Sequence, residues 1–200
     1  MRTAIFLASM FIHSVCFSQS CPDCIQQGLI DYNKKDYNGA IANFTKAIAI
    51  NSRDSVAFYN RGLAKTKLLS YRSAIDDFTN VIEIEPLHAN AYNNRGYAKD
   101  AMKNYPSAIA DYDKAISIDP KFTEAFNNRG VSKMALEDFD GAITDFDLAI
   151  KLNSQYAEAY FNRGLAKLNS NKKSQACRDF NNALKLGFIK AETVIDSDCK

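Results

Sequence analysis

Two hundred residues suffice for one domain with a sizeable core. With 46% hydrophobic residues, 24% charged residues and a net charge of +2, the composition is that of an ordinary soluble globular chain. No extreme of charge points to a partner, and nucleic acid, whose binding requires a basic patch, is not an expected one.

The first element stands apart from the rest. Met1-Arg2-Thr3 is a short basic start, and Ala4 to Phe17 is an almost uninterrupted apolar run, the pattern of a secretory signal peptide. Small residues at Cys16 and Ser18 suit cleavage after Ser18, giving a signal at 1–18 and a mature chain from about Gln19. The run has 14 residues where a bilayer span needs about 20, which argues against a retained anchor. The "SQS" before Cys21 lacks the apolar residue of a lipoprotein signal. The expected mature protein is exported, periplasmic or extracellular, has no membrane span, and is nearly neutral with 24 basic and 23 acidic residues.

From Cys21 onward the chain repeats every 34 residues. The triplet Asn60-Arg61-Gly62 returns as Asn94-Arg95-Gly96, Asn128-Arg129-Gly130 and Asn162-Arg163-Gly164, and a diverged copy stands at Gln26-Gln27-Gly28. Five units follow: 21–54, 55–88, 89–122, 123–156 and 157–190, with a tail at 191–200. From the second unit on, an aromatic stands four before the glycine (Phe58, Tyr92, Phe126, Tyr160). Alanine stands twelve after it (Ala40, Ala74, Ala108, Ala142, Ala176), and an aromatic sixteen after it (Phe44, Phe78, Tyr112, Phe146, Phe180). Pro86 and Pro120 close two units. Helical spacing of apolar residues, as in Ala74, Ile75, Phe78, Val81 and Ile82, and polar breaks such as "LLSYRS" and "EIEPLH" predict two helices per unit, A and B.

This framework resembles the tetratricopeptide repeat (TPR), a helix-turn-helix unit of the same length, over residues 21–190. The resemblance implies an all-α, right-handed α-solenoid of five TPR units with helices A on its concave face. The tail predicts a short C-terminal capping helix, with Phe188, Ala191, Val194 and Ile195 on the face that covers unit five. Unit one, lacking the first aromatic and the triplet, reads as a divergent start.

Each member of the triplet has its own expected task. The arginine faces helix B, and helix B carries Asp77, Asp111, Asp145 and Asp179 wherever Arg61, Arg95, Arg129 and Arg163 occur. In unit one Gln27 and Asn43 replace both charges together, which predicts four structural ion pairs within repeats. The glycine is the site of close helix approach. Lys65, Lys99, Lys133 and Lys167, three residues later, form a basic line expected to be solvated.

The asparagines lie on the stripe that faces the groove in TPR proteins. There Asn60, Asn94, Asn128 and Asn162 form a ladder able to clamp an extended peptide, because an amide side chain both donates and accepts. The alternative is that they bond to neighbouring repeats. On the first reading, Asn94→Ala with Asn128→Ala weakens partner capture without lowering thermal stability. Tyr59, Leu63, Asn93, Tyr97 and Asn127 complete the expected groove, apolar near Ile25, Leu29, Tyr32 and Val56 and slightly acidic near Asp100 and Glu124. The carboxylate clamp known in some TPR proteins needs lysines three and six before the glycine. Here the first of these positions holds Ile25, Tyr59, Asn93, Asn127 and Phe161 and the second offers no cation, so the clamp is absent.

Four mature cysteines remain. Cys21 and Cys24 suit a local disulfide at a helix start, with redox chemistry or metal binding as alternatives. Cys177 and Cys199 suit a bond pinning the capping helix to unit five, worth roughly 3 kcal/mol in the chain-entropy picture. His88 is the one histidine left after cleavage, and no metal-ligand spacing or phosphate-cradling loop is present in the sequence. The expected function is a non-catalytic scaffold or adaptor for a protein or peptide, without cofactor or metal. The alternatives are a thiol-redox protein using Cys21 and Cys24, or a structural component of an envelope or secretion assembly.

Overall fold

The computed structural model describes residues 21–199; the expected signal at 1–18 lies outside them. These residues form eleven helices and, among them, no strand. Five hairpins pair α1 (Pro22–Asn33) with α2 (Tyr37–Ile50), α3 (Ser55–Lys67) with α4 (Tyr71–Ile84), and α5 (Ala89–Ala101) with α6 (Tyr105–Ile118). They continue with α7 (Thr123–Ala135) and α8 (Phe139–Leu152), then α9 (Ala157–Asn169) and α10 (Lys173–Lys185), and α11 (Lys190–Asp198) closes the stack.

Local chemistry sets the ends of these helices. Asp36, Asp54 and Asp138 accept an N-terminal backbone N–H through their carboxylates, and His88 Nδ1 does the same for the amide of Ala91 at 3.1 Å. Every A helix ends in the same left-handed residue: Lys35, Leu69, Lys103, Glu137 or Asn171, with φ between 59° and 64° except Leu69 at 58°. The amide that follows donates back across the turn, as Ser70 does to the Lys65 carbonyl at 2.9 Å and Asp138 to that of Lys133 at 3.0 Å. This is the Schellman pattern, which reverses the chain within three residues and lays helix B against helix A.

Packing follows from residue size. Ala40, Ala74, Ala108, Ala142 and Ala176 are wholly buried, as are Phe44, Phe78, Phe146 and Phe180, with Tyr112 at 1% exposure. The glycine admits the aromatic ring: a Cβ on Gly130 would lie 2.7 Å from Phe146 Cε1, and one on Gly96 2.8 Å from Tyr112 Cε1. Each helix packs on the next in the chain, and α1, α3, α5, α7 and α9 also touch in succession. That extra approach puts the A helices on the inner side of the stack. At the far end, Ala191 is buried on α10, Phe188 stacks 4.8 Å from Phe161, and Val194, Ile195 and Cys199 cover the rest of the apolar side.

Candidate functional site

The triplet distributes its three side chains over three environments. Arg61, Arg95, Arg129 and Arg163 each grip a helix-B aspartate with two nitrogens: Nε and Nη2 of Arg129 lie 2.9 and 2.6 Å from Asp145 Oδ2 and Oδ1. The aspartates are buried, Asp77 and Asp145 at 1% exposure. The arginines also bridge repeats, which the sequence reading did not anticipate. Their Nη1 donates to helix B of the preceding unit, to Thr45, Thr79, Asp113 and Asp147 in turn. Each guanidinium further lies 5.4 or 5.5 Å from the centroid of the aromatic ring three residues earlier. Burial opposes the charges of Arg129 and Arg163, but the bonds and charges of two aspartates outweigh it and raise both above their ordinary value.

The lysine line requires correction. Lys65, Lys99, Lys133 and Lys167 are not solvated: each Nζ sits 2.7 or 2.8 Å from the second oxygen of the same aspartate. Each of these four helix-B carboxylates is therefore held between an arginine and a lysine one turn apart on helix A. Unit one keeps this three-position arrangement with its polarity reversed. Asp31 stands where the lysine would be, and it accepts from Gln27 Nε2 at 2.7 Å and Asn43 Nδ2 at 2.8 Å. One carboxylate is shared by two donors in all five units. In unit one the carboxylate has moved from helix B to helix A.

The asparagines join repeats to one another. Nδ2 of Asn94 donates to Tyr59 Oη at 2.9 Å, that of Asn128 to Asn93 Oδ1 at 3.1 Å, and that of Asn162 to Asn127 Oδ1 at 3.1 Å. The acceptor is always the residue three before the glycine of the preceding unit. For Asn60 that residue is Ile25, which has no acceptor, and its amide turns instead to the Val56 carbonyl at 2.8 Å. Two expected groove contacts are corrected here: Asn93 and Asn127 are 8% and 1% exposed, drawn under the next A helix by these bonds, and they present nothing to a ligand. The double substitution of Asn94 and Asn128 accordingly removes inter-repeat bonds and lowers stability, contrary to the expectation from sequence. Tyr59 is equally engaged, its ring 5.9 Å from Phe78 and 5.0 Å from His88, and burial raises its hydroxyl above the ordinary value.

On the A-helix face, a hollow of about 360 Å³ lies open between units one and three. Leu63, Asn94 and Tyr97 line it with Tyr32, Leu69, Tyr71, Thr66 and Lys67. Tyr97 is 46% exposed, and its ring stands edge-on to Tyr71 at 6.5 Å. A second hollow, of about 440 Å³, shares Leu69 and Tyr71 and is lined further by Arg72, Asp76 and Met102. Leu69 and Tyr71 were missed by sequence reading. The available signal was Leu69 itself, an apolar residue where the other units place Lys35, Lys103, Glu137 and Asn171.

The sulfurs of Cys21 and Cys24 stand at bonding distance, 2.12 Å, as do those of Cys177 and Cys199, 2.08 Å. Among the described residues, no group of three or more His, Cys, Asp or Glu is placed to hold a metal ion, and no helix is long and apolar enough to cross a membrane.

Comparisons with known proteins agree with this architecture. The family described as tetratricopeptide repeat matches residues 89–122 and 157–186, and the one described as TPR repeat matches 132–171. A search of curated proteins found no match. Among solved structures, MamA superposes with a TM-score of 0.74 at 22% identity, over 82% of this chain and 96% of its own. YrrB, described as a TPR protein with an unusual peptide-binding site, gives 0.72 at 17% identity, over 90% and 93%. PilW, described as a widely conserved type IV pilus biogenesis factor, gives 0.75 at 20% identity, over 82% and 76%. At these identities the likeness is one of fold.

Proposed function

We propose that this solenoid of tetratricopeptide repeats is an exported, non-catalytic scaffold that binds an extended peptide or a partner helix along its A-helix face. TPR proteins mediate protein–protein interaction, and fold alone reaches no further than that. The observation that carries the finer reading is the contrast between two sets of polar groups. Arginines, lysines, buried aspartates and half of each asparagine amide are committed to holding the stack together, whereas the hollow at Leu63, Asn94 and Tyr97 stays open with aromatic walls. Asn94, Asn128 and Asn162 use one N–H within the scaffold, and each retains a carbonyl oxygen for a peptide N–H.

Export is supported by the apolar start of the sequence and by two cysteine pairs, which persist in an oxidising compartment. Cys21 also serves as the N-cap of α1, its Sγ accepting from the Cys24 amide at 3.3 Å, so the pair has a structural task at the first turn. The test is site-specific photocrosslinking in the exporting cell. A photoreactive side chain at Tyr97, which is exposed and makes no scaffold hydrogen bond, should capture a discrete partner. The same group at Asn181 on α10 should not. Capture from position 181 alone would refute the assignment of the face.

A further inference from the structure

Resting on that reading, we infer that the hollow between units one and three is an anchor site for one aromatic or large aliphatic side chain of a basic peptide segment, with Asp100 receiving the segment's lysine or arginine. Leu69 is the first ground. It is 69% exposed, it is held at φ 58°, and it lies where both hollows meet. A left-handed position at a helix end favours glycine, and the other four units put polar side chains there. An exposed leucine in that conformation serves neither the turn nor solubility, and it does add apolar wall to the hollow. Tyr32, Leu63, Tyr71 and Tyr97 supply the rest of an apolar, aromatic wall with ample room for one large side chain.

Charge complementarity selects the occupant. Lys65, Lys99, Lys133 and Lys167 are each engaged by a buried aspartate. In contrast, Asp100, Glu124 and Glu158 on the A helices make no ion pair among the described residues. Asp100 lies one helical turn beyond Tyr97 on α5 and accepts from Ser132 Oγ at 2.6 Å through one oxygen, leaving the other free. Burial raises its carboxyl above the ordinary range, as suits a carboxylate without a cation. Lys67 of unit two lines the hollow itself and disfavours a cation on that side. The segment therefore lies with its basic residue on the unit-three side of its anchor.

The test pans a random twelve-residue peptide display library against the secreted protein, then measures the strongest peptide by fluorescence polarisation. Selected peptides should carry Phe, Tyr, Trp, Leu or Met with a Lys or Arg a few residues to one side. Leu69→Gly should weaken binding about tenfold, the loss of one buried leucine contact, without lowering the thermal midpoint. Asp100→Asn should abolish the preference for the peptide over its Lys→Gln or Arg→Gln analogue. Peptides that crosslink to position 97 yet ignore Leu69→Gly, or that are acidic, would overturn this inference and leave the groove reading standing. A panning that yields no peptide crosslinking to position 97 would count against both.

Discussion

Replacing Asp145 by asparagine keeps the shape of the buried side chain and removes the one charge that Arg129 and Lys133 share. Asp145 is 2% exposed in its side chain, against 17% and 23% for its two cations. Breaking a buried pair costs about 3–5 kcal/mol. Both cations reach water in part, and Arg129 keeps Asp113 at 2.6 Å, so the loss should fall near the low end, ~3 kcal/mol. Unit one shows how the same three positions work with reversed polarity, and this permits a rescue. Arg129→Gln and Lys133→Asp together with Asp145→Asn recreate Gln27, Asp31 and Asn43 in unit four. The triple variant forfeits the half-exposed link to Asp113, ~0.5 kcal/mol, and the contact with the Phe126 ring, about 0.5–1 kcal/mol. It should therefore lie about 1–2 kcal/mol below the parent and above the single variant, which lacks a matched set of donors and acceptors. Urea unfolding followed by circular dichroism at 222 nm measures all three proteins. A triple variant as unstable as Asp145→Asn, or a single variant within about 1 kcal/mol of the parent, would refute the reasoning.

Other substitutions probe the remaining parts. Asn94→Ala with Asn128→Ala should cost about 2 kcal/mol by the same assay, because Tyr59 and buried Asn93 each lose a donor; Asn60→Ala, whose amide only meets its own helix, should be near neutral. Gly130→Ala pushes a methyl group into the Phe146 ring, and an overpacking cost of about 1–3 kcal/mol should exceed the ~1 kcal/mol gained in helix propensity, giving a lower thermal midpoint. Cys177→Ser with Cys199→Ser should release α11 first, seen as early proteolysis near Lys190 and a loss of roughly 3 kcal/mol, whereas unchanged proteolysis would mean that Ala191 and Phe188 hold the cap alone. Burial raises the Asp100 carboxyl, so the folded state holds its proton more tightly than the unfolded one. That contribution is complete below the ordinary value of 3.8 and is lost as pH rises through the folded value. Asp100→Asn should thus remove a fall in stability above pH 3.8 and leave the protein slightly more stable at neutral pH.

The repeat makes much of this architecture legible, because five copies act as controls on one another. The arginine–aspartate register can be read from unit one, where Gln27 and Asn43 replace both charges. The third member of the set is harder to read: Lys133 has Asp31 as its counterpart, a reversal visible in the same register, but a line of lysines along one helix flank looks like a solvated stripe until helix B is laid beside it. The asparagine ladder had a similar unread signal, since Tyr59, Asn93 and Asn127 provide acceptors one repeat earlier and Ile25 does not. Burial of Asn93 and Asn127 depends on how closely consecutive A helices approach, which periodicity does not encode. The hollow is a product of three units together. Leu69 and Tyr71 enter it only because the left-handed turn carries them to the A-helix face, and no single unit's pattern foretells that.

Partners, on the proposal made above, are held on the A-helix face between units one and three. Chemical-shift mapping with a selected peptide tests it directly, using methyl-labelled Leu63 and Leu69 and ring signals of Tyr97. Saturable shifts are expected at these three residues, with little change at exposed Leu148 and Leu152 on α8. Shifts confined to α8 or to other B helices, with Leu63, Leu69 and Tyr97 unmoved, would contradict it.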